Sequence, residues 1–174
     1  LIENATSEKS MPEDLVERVS AGEGAAIARA ITIAENEPEL GSALLATLRG
    51  AAADRSIPVV GFSGTGGSGK SSIVDELVLR FRRDFPTNKI AIISVDPSRR
   101  RSGGALLGDR IRMNAVEGDR CYMRSLATRQ ANLSISPHVA DAVAIVKAAG
   151  FDLIFLETSG IGQSDTQIVD TSDV

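Results

Sequence analysis

Apolar residues recur at helical spacing through the first third of the chain and then change to short unbroken runs. Leu15, Val16 and Val19 form one stripe, with Ser10 and Glu13 spaced as a capping box before it and Gly22 closing it. Ile27, Ala30, Ile31 and Ala34 form a second stripe. Asn36, Pro38 and Glu39 announce a third helix carrying Leu40, Leu44, Leu45 and Leu48, which Gly50 is expected to end. Residues 1–9 are polar and aperiodic. Residues 1–56 therefore predict a small helical extension or linker, whose apolar stripes suit covering a neighbouring domain better than holding a ligand.

From residue 57 the runs IPVVGF, KIAIISV, CYMRSL and DLIFLE alternate with helical stretches, one after Lys70 and one that starts at Ser136 and Pro137 and ends at Gly150. Strands covered on both faces read as continuous apolar runs, and these do. The fold class predicted for 57–174 is α/β, a three-layer sandwich around a mostly parallel sheet. Loop-like residues lead to Val174, where a doubly wound sheet would add further strands, so the domain reads as truncated at its carboxyl end. There is no internal repeat.

Composition narrows the partners. With 43% apolar and 24% charged residues in 174, the chain suits one globular domain plus an extension. No stretch reaches the roughly 18 apolar residues of a membrane span, and LIENATSEKS carries no apolar signal region, so a cytoplasmic protein is expected. Cys121 and His138 are the only residues of their kinds, which excludes an internal disulfide and a Cys/His zinc cluster and leaves oxygen ligands for any metal. The net charge of −4 gives no bulk attraction to nucleic acid or to an anionic membrane, and neither is expected as a partner. That average hides a division: residues 1–56 carry −5, residues 57–129 carry +6 and residues 130–174 carry −5. The basic middle third points to an anionic ligand.

Within that third, Gly64-Thr65-Gly66-Gly67-Ser68-Gly69-Lys70-Ser71 matches G-x-x-x-x-G-K-[ST], after a predicted strand and opening a predicted helix. Backbone N–H groups can curl around phosphate oxygens only where no Cβ blocks the turn, which is why the motif needs glycine. Lys70 supplies the reaching charge, Ser71 a hydroxyl for Mg²⁺, and the helix its partial positive end. Gly64, Gly66, Gly67, Ser68, Gly69, Lys70, Ser71 and Ser72 are thus the candidate nucleotide-phosphate residues of a P-loop NTPase.

Asp96 follows the run IAIISV, and Glu157 ends DLIFLE, both at the carboxyl ends of strands where open parallel sheets bind ligands. Asp96 can equally open an Asp-Pro turn, and Glu157 can equally just end its strand. In ETSGIGQSD the acid is followed by Gly160, whose N–H can meet a γ-phosphate. Gln163 either orients an attacking water or is a solvated loop residue. The candidate metal residues are Ser71, Asp96, Asp109 and Glu157. Because nucleotide-bound Mg²⁺ takes only one or two protein oxygens, Ser71 with one or two aspartates suits direct ligation and Glu157 a coordinated water. The basic stretch VDPSRRRSGGALLGDRIRMNAV is either a switch or a solvated loop, and Arg112 is its best phosphate contact. Lys70, Glu157 and Gln163 are the catalytic candidates; His138 and Cys121 stay outside the mechanism.

Taken together, GTGGSGKSS, VDPSRRRSGGALLGDRIRM, YMRSLATR and ETSGIGQSD resemble the MeaB/ArgK-type GTPases (G3E, SIMIBI class) that chaperone cobalamin-dependent acyl-CoA mutases, with the nearest likeness to the GTPase domains fused to isobutyryl-CoA mutases. The likeness runs from residue 11 to residue 174. It implies GTP/GDP and Mg²⁺ as cofactors, slow hydrolysis, and control of adenosylcobalamin delivery or retention at a mutase that is a separate subunit or part of the same parent chain. It also implies a phosphate loop at Gly66 to Ser72, Mg²⁺-associated acids at Asp96, Asp109 and Glu157, switches at 97–112 and 158–166, and room for a homodimer. The guanine-reading N-K-x-D motif of that family does not occur in this sequence, so guanine preference is implied by likeness alone. Three other readings stay open: a nickel or cobalt metallochaperone GTPase, a nucleotide-gated binding module without hydrolysis, and a small-molecule kinase.

Overall fold

The fold is built on alternation. In the computed structural model, which describes residues 14–51, 56–96, 118–127, 138–158 and 164–174, the strands β1 (Val59–Phe62), β2 (Ile90–Asp96), β3 (Cys121–Ala127) and β4 (Leu153–Thr158) form one parallel sheet in the order β1-β4-β2-β3. Successive side chains on a strand point to opposite faces. Ala91, Ile93 and Val95 of β2, with Ile154 and Leu156 of β4, accordingly enter one core, while Ile90, Ile92 and Phe155 enter another on the far face. Both cores draw on β2 and β4, the two central strands, which explains why these are the most continuously apolar runs in the chain.

The first face carries most of the helices: α1 (Leu15–Ser20), α2 (Gly24–Asn36), α3 (Pro38–Ala51) and α5 (His138–Ala148). On α2 the buried residues Ile27, Ala30, Ile31 and Ala34 fall three and four apart, one stripe of a helix. Leu44, Leu45 and Leu48 of α3 and Val139, Ala142, Val143 and Val146 of α5 meet it in the same core. The crossing of α2 and α3 depends on Gly41, where an added Cβ would stand 2.9 Å from Ala34 Cα. Two ion pairs brace the layer: Arg49 to Asp141 at 3.4 Å and Arg124 of β3 to Glu35 of α2 at 3.3 Å. The opposite face is packed by α4 (Lys70–Asp84), which buries Val74 and Val78 against Ile90, Ile92 and Phe155. Helices, sheet and α4 make the predicted three layers.

Several boundaries differ from the sequence reading. Gly50 does not end α3, which runs on to Ala51; Gly50 has no positive φ and simply continues the helix. Asp14, at the N-cap of α1, makes no side-chain cap bond, and the Ser10–Glu13 box lies outside the described residues, as do Ser136 and Pro137. The stretch leading to Val174, expected to be loop-like, includes α6 (Ser164–Thr171). Ile168 anchors α6 to the first core. The turns at Gly22 and Gly150 hold φ of 80° and 79°, left-handed values that glycine adopts without strain. No helix among the described residues is long and apolar enough to cross a membrane.

Candidate functional site

The carboxyl end of β1 feeds Ser63 and then the glycine loop, and α4 begins at Lys70. Gly64, Gly67 and Gly69 take φ of 141°, 79° and 89°. At Gly67 and Gly69 an added Cβ would meet nothing within 4 Å, so the loop needs glycine there for its backbone angle and not for room. Gly69 is also the N-cap of α4, and it offers no side-chain oxygen to the helix. The first intrahelical bond in this turn runs from Ile73 N to Gly69 O at 3.0 Å. The N–H groups of Lys70, Ser71 and Ser72 consequently have no partner within the helix and stand at its positive end, an arrangement suited to an anion.

Lys70 is folded back over the loop: its Nζ donates to Gly64 O at 2.6 Å and to Thr65 O at 2.8 Å. The side chain spans the same concavity that the glycines open, held by acceptors that a phosphate can replace. Ser71, one residue on, donates from Oγ to Glu157 Oε1 at 2.5 Å, joining positions 86 residues apart. Parallel register explains the meeting: Glu157 lies opposite Phe62 on β1 and opposite Ser94 on β2, so it stands at the carboxyl edge beside the start of the loop. Its side chain is 4% exposed. A buried carboxylate is tolerated where polar partners satisfy it, and the Ser71 hydroxyl is one.

Asp96 ends β2 one step beyond Val95, which pairs with Thr158, so its backbone reaches the same edge as Glu157. Its side chain lies outside the described residues, as do Asp109, Arg112, Gly160 and Gln163. The predicted residues that the structure brings together are thus the loop from Gly64 to Ser72 and Glu157. His138 opens α5, 4.0 Å from Asp141, and Cys121 packs half-buried beside the second core at the amino end of β3.

Sequence reasoning passed over Gly61. An added Cβ there would stand 2.3 Å from Ile168 Cγ2 and 2.8 Å from Ser172 Oγ, so the absence of a side chain lets α6 lie directly on β1, just before the phosphate loop. A glycine inside a strand was the available signal. Beyond α6, Val59 N donates to the Asp173 carboxylate at 2.8 Å and Gly61 N to Val174 O at 2.8 Å, which ties residues 173–174 along β1.

The oxygen donors at this edge fit Mg²⁺: a serine hydroxyl and a buried carboxylate, both hard ligands, beside a loop shaped for phosphate.

Comparison with known proteins agrees with this geometry. Residues 27–174 match the family described as methylmalonyl Co-A mutase-associated GTPase MeaB. The chain is 51% identical over 167 residues to a fused isobutyryl-CoA mutase of Geobacillus kaustophilus, covering 92% of this chain and 15% of that protein. It is 54% identical over 163 residues to the fused isobutyryl-CoA mutase of Cupriavidus metallidurans, covering 91% of this chain and 14% of the relative. A crystal structure of LAO/AO transport system kinase superposes with a TM-score of 0.69 at 26% identity, over 94% of this chain and 49% of that one. The chain therefore spans about one-seventh of the fused mutases and half of the solved relative.

Proposed function

We propose, from the premise that the chain belongs to the MeaB family of methylmalonyl-CoA mutase-associated GTPases, that it is a Mg²⁺-dependent GTP-binding module that hydrolyses GTP slowly and thereby gates adenosylcobalamin delivery or retention at an acyl-CoA mutase of the isobutyryl- or methylmalonyl-CoA type. The observation that carries this reading is the convergence of Lys70, the first α4 amides, Ser71 and Glu157 at one edge of the sheet. Names of relatives that join isobutyryl-CoA mutase to a segment like this one support the choice of partner.

In this mechanism the loop amides and Lys70 hold the β- and γ-phosphates. On nucleotide binding, Lys70 exchanges the Gly64 and Thr65 carbonyls for phosphate oxygens, each charge-assisted bond contributing about 1.5–3 kcal/mol. Mg²⁺ would be held by Ser71 with one or both of Asp96 and Asp109, and it would supply charge neutralisation on the phosphates. Glu157 would hold a water on that ion, Arg112 would contact phosphate, Gly160 would donate its N–H to the γ-phosphate, and Gln163 would position the attacking water. Turnover without a partner is slow, about 10⁻⁴ to 10⁻² s⁻¹, which suits a switch better than bulk hydrolysis.

The test is phosphate release by the full-length protein, with the mutase present and absent. Stimulation by the mutase that vanishes in Lys70→Ala is the expected result. Release that ignores both the mutase and the lysine would sink the proposal.

A further inference from the structure

A second concave site lies at the other edge of the sheet. Lys89 precedes β2, Gly118 to Arg120 precede β3 and Phe151 precedes β4, so these residues gather at the amino ends of the strands, whereas the phosphate loop follows the carboxyl end of β1. Together with the α1–α2 turn they enclose a cavity of about 770 Å³. That volume falls in the range of small-molecule sites, about 300–1,000 Å³.

The lining is cationic. Lys89, Arg120 and Arg124 face two carboxylates, Glu23 and Asp119. Glu23 is already engaged by Arg18 at 2.8 Å, and Arg124 is partly balanced by Glu35 at 3.3 Å. Lys89 and Arg120 are left with Asp119 as the remaining counter-charge on the wall. Two buried guanidinium nitrogens, Arg120 Nη1 and Arg124 Nε, donate to no acceptor among the described residues. Buried donors are rarely left unpaired; these two lie behind the wall, while other atoms of both arginines line the cavity. The other wall is aromatic: Tyr122 and Phe151 stand with ring centroids 6.1 Å apart, and the start of α2 passes over Tyr122, where a Cβ on Gly24 would lie 3.9 Å from its ring. The amides of Gly24 and Ala25 add donors, because the Glu23 side chain does not cap α2.

We propose that this cavity is a second ligand site, for a small organic phosphate carrying a planar ring. The phosphate meets Lys89, Arg120 and the open amides at the start of α2, and the ring packs against Tyr122. Compact dianions suit paired guanidinium and ammonium donors, and a flat ring suits an aromatic wall. The site is independent of the nucleotide chemistry at the phosphate loop.

Adenosine 5′-monophosphate is a suitable probe, since it has the ring and one phosphate but no β-phosphate for the loop. Titrated into the 174-residue chain and followed by backbone amide NMR, it is expected to shift the resonances of Gly22 to Ala25 and Tyr122. Lys70→Ala should leave those shifts in place, and inorganic phosphate should reproduce them more weakly. Lys89→Ala with Arg120→Ala should weaken binding by about tenfold or more, with an unchanged melting temperature. Should the double variant melt early, Lys89→Gln alone is expected to weaken binding about threefold. Shifts confined to residues 64–72, no shifts at all, or unchanged affinity in a folded variant would overturn the proposal.

Discussion

The layer formed by α1, α2, α3 and α5 and the loop between β1 and α4 use the same backbone chemistry for opposite ends. In the helical layer the apolar side chains Ile27, Ile31, Leu44, Leu48 and Ile145 are removed from water, and the stabilisation comes from area. In the loop almost nothing apolar is buried. Three glycines sit in left-handed angles, the first amides of α4 lack helical partners, and Lys70 occupies carbonyls it can leave. Core stability and nucleotide chemistry are therefore separable along this chain, since the packed helix faces hold no phosphate-loop residue and the loop buries almost no core. Variants should divide in the same way.

The largest expected effect is on the packed side. Leu48→Ala removes a fully buried side chain from the core shared by α2, α3 and α5 and should cost about 2–5 kcal/mol in denaturant unfolding, while the folded fraction keeps its nucleotide affinity. A parallel loss of affinity would mean that the two regions are coupled. Next comes Gly61→Ala, which drives a methyl group into Ile168 and should destabilise by about 1–3 kcal/mol as α6 is pushed off β1. Since α6 lies beside the loop, this variant is the one expected to lower stability and nucleotide affinity together. Glu157→Gln keeps an acceptor for Ser71 and removes the charge. Comparing titrations in Mg²⁺ and in EDTA, it should reduce the Mg²⁺-dependent gain in affinity by about tenfold and leave metal-free binding nearly unchanged.

The smallest effect belongs to the exposed end of α4. Arg83, hydrogen-bonded to Asp84 at 2.7 Å, holds that carboxyl below its usual range. A depressed folded value contributes stability above the unfolded value and loses it as pH falls through the folded one. Both side chains are solvated, so Asp84→Asn should leave the acid limb of a melting-temperature profile within experimental error.

Much of the fold could be read along the chain because its signals are local. The apolar runs of β2 and β4 are continuous because both faces are covered, and glycines 22 and 150 mark turns that do adopt positive φ. The glycine loop was legible for the same reason, since its spacing encodes its geometry. What escaped was non-local. Helix α6 rests on Ile168 fitting over a bare Gly61, a contact between positions over a hundred residues apart that leaves no periodicity. Strand order is equally silent in the sequence, yet it is the placement of β4 beside β1 that carries Glu157 to Ser71. Gly50 misled because glycine ends a helix only where the backbone turns left-handed, and here it does not.

The most direct test of a working phosphate site is calorimetric titration of this chain with a non-hydrolysable GTP analogue in Mg²⁺, alongside Lys70→Ala. The account predicts binding that the alanine variant weakens by about 10- to 100-fold with no change in melting temperature. Equal binding by both proteins, or none by the folded wild type, would contradict it.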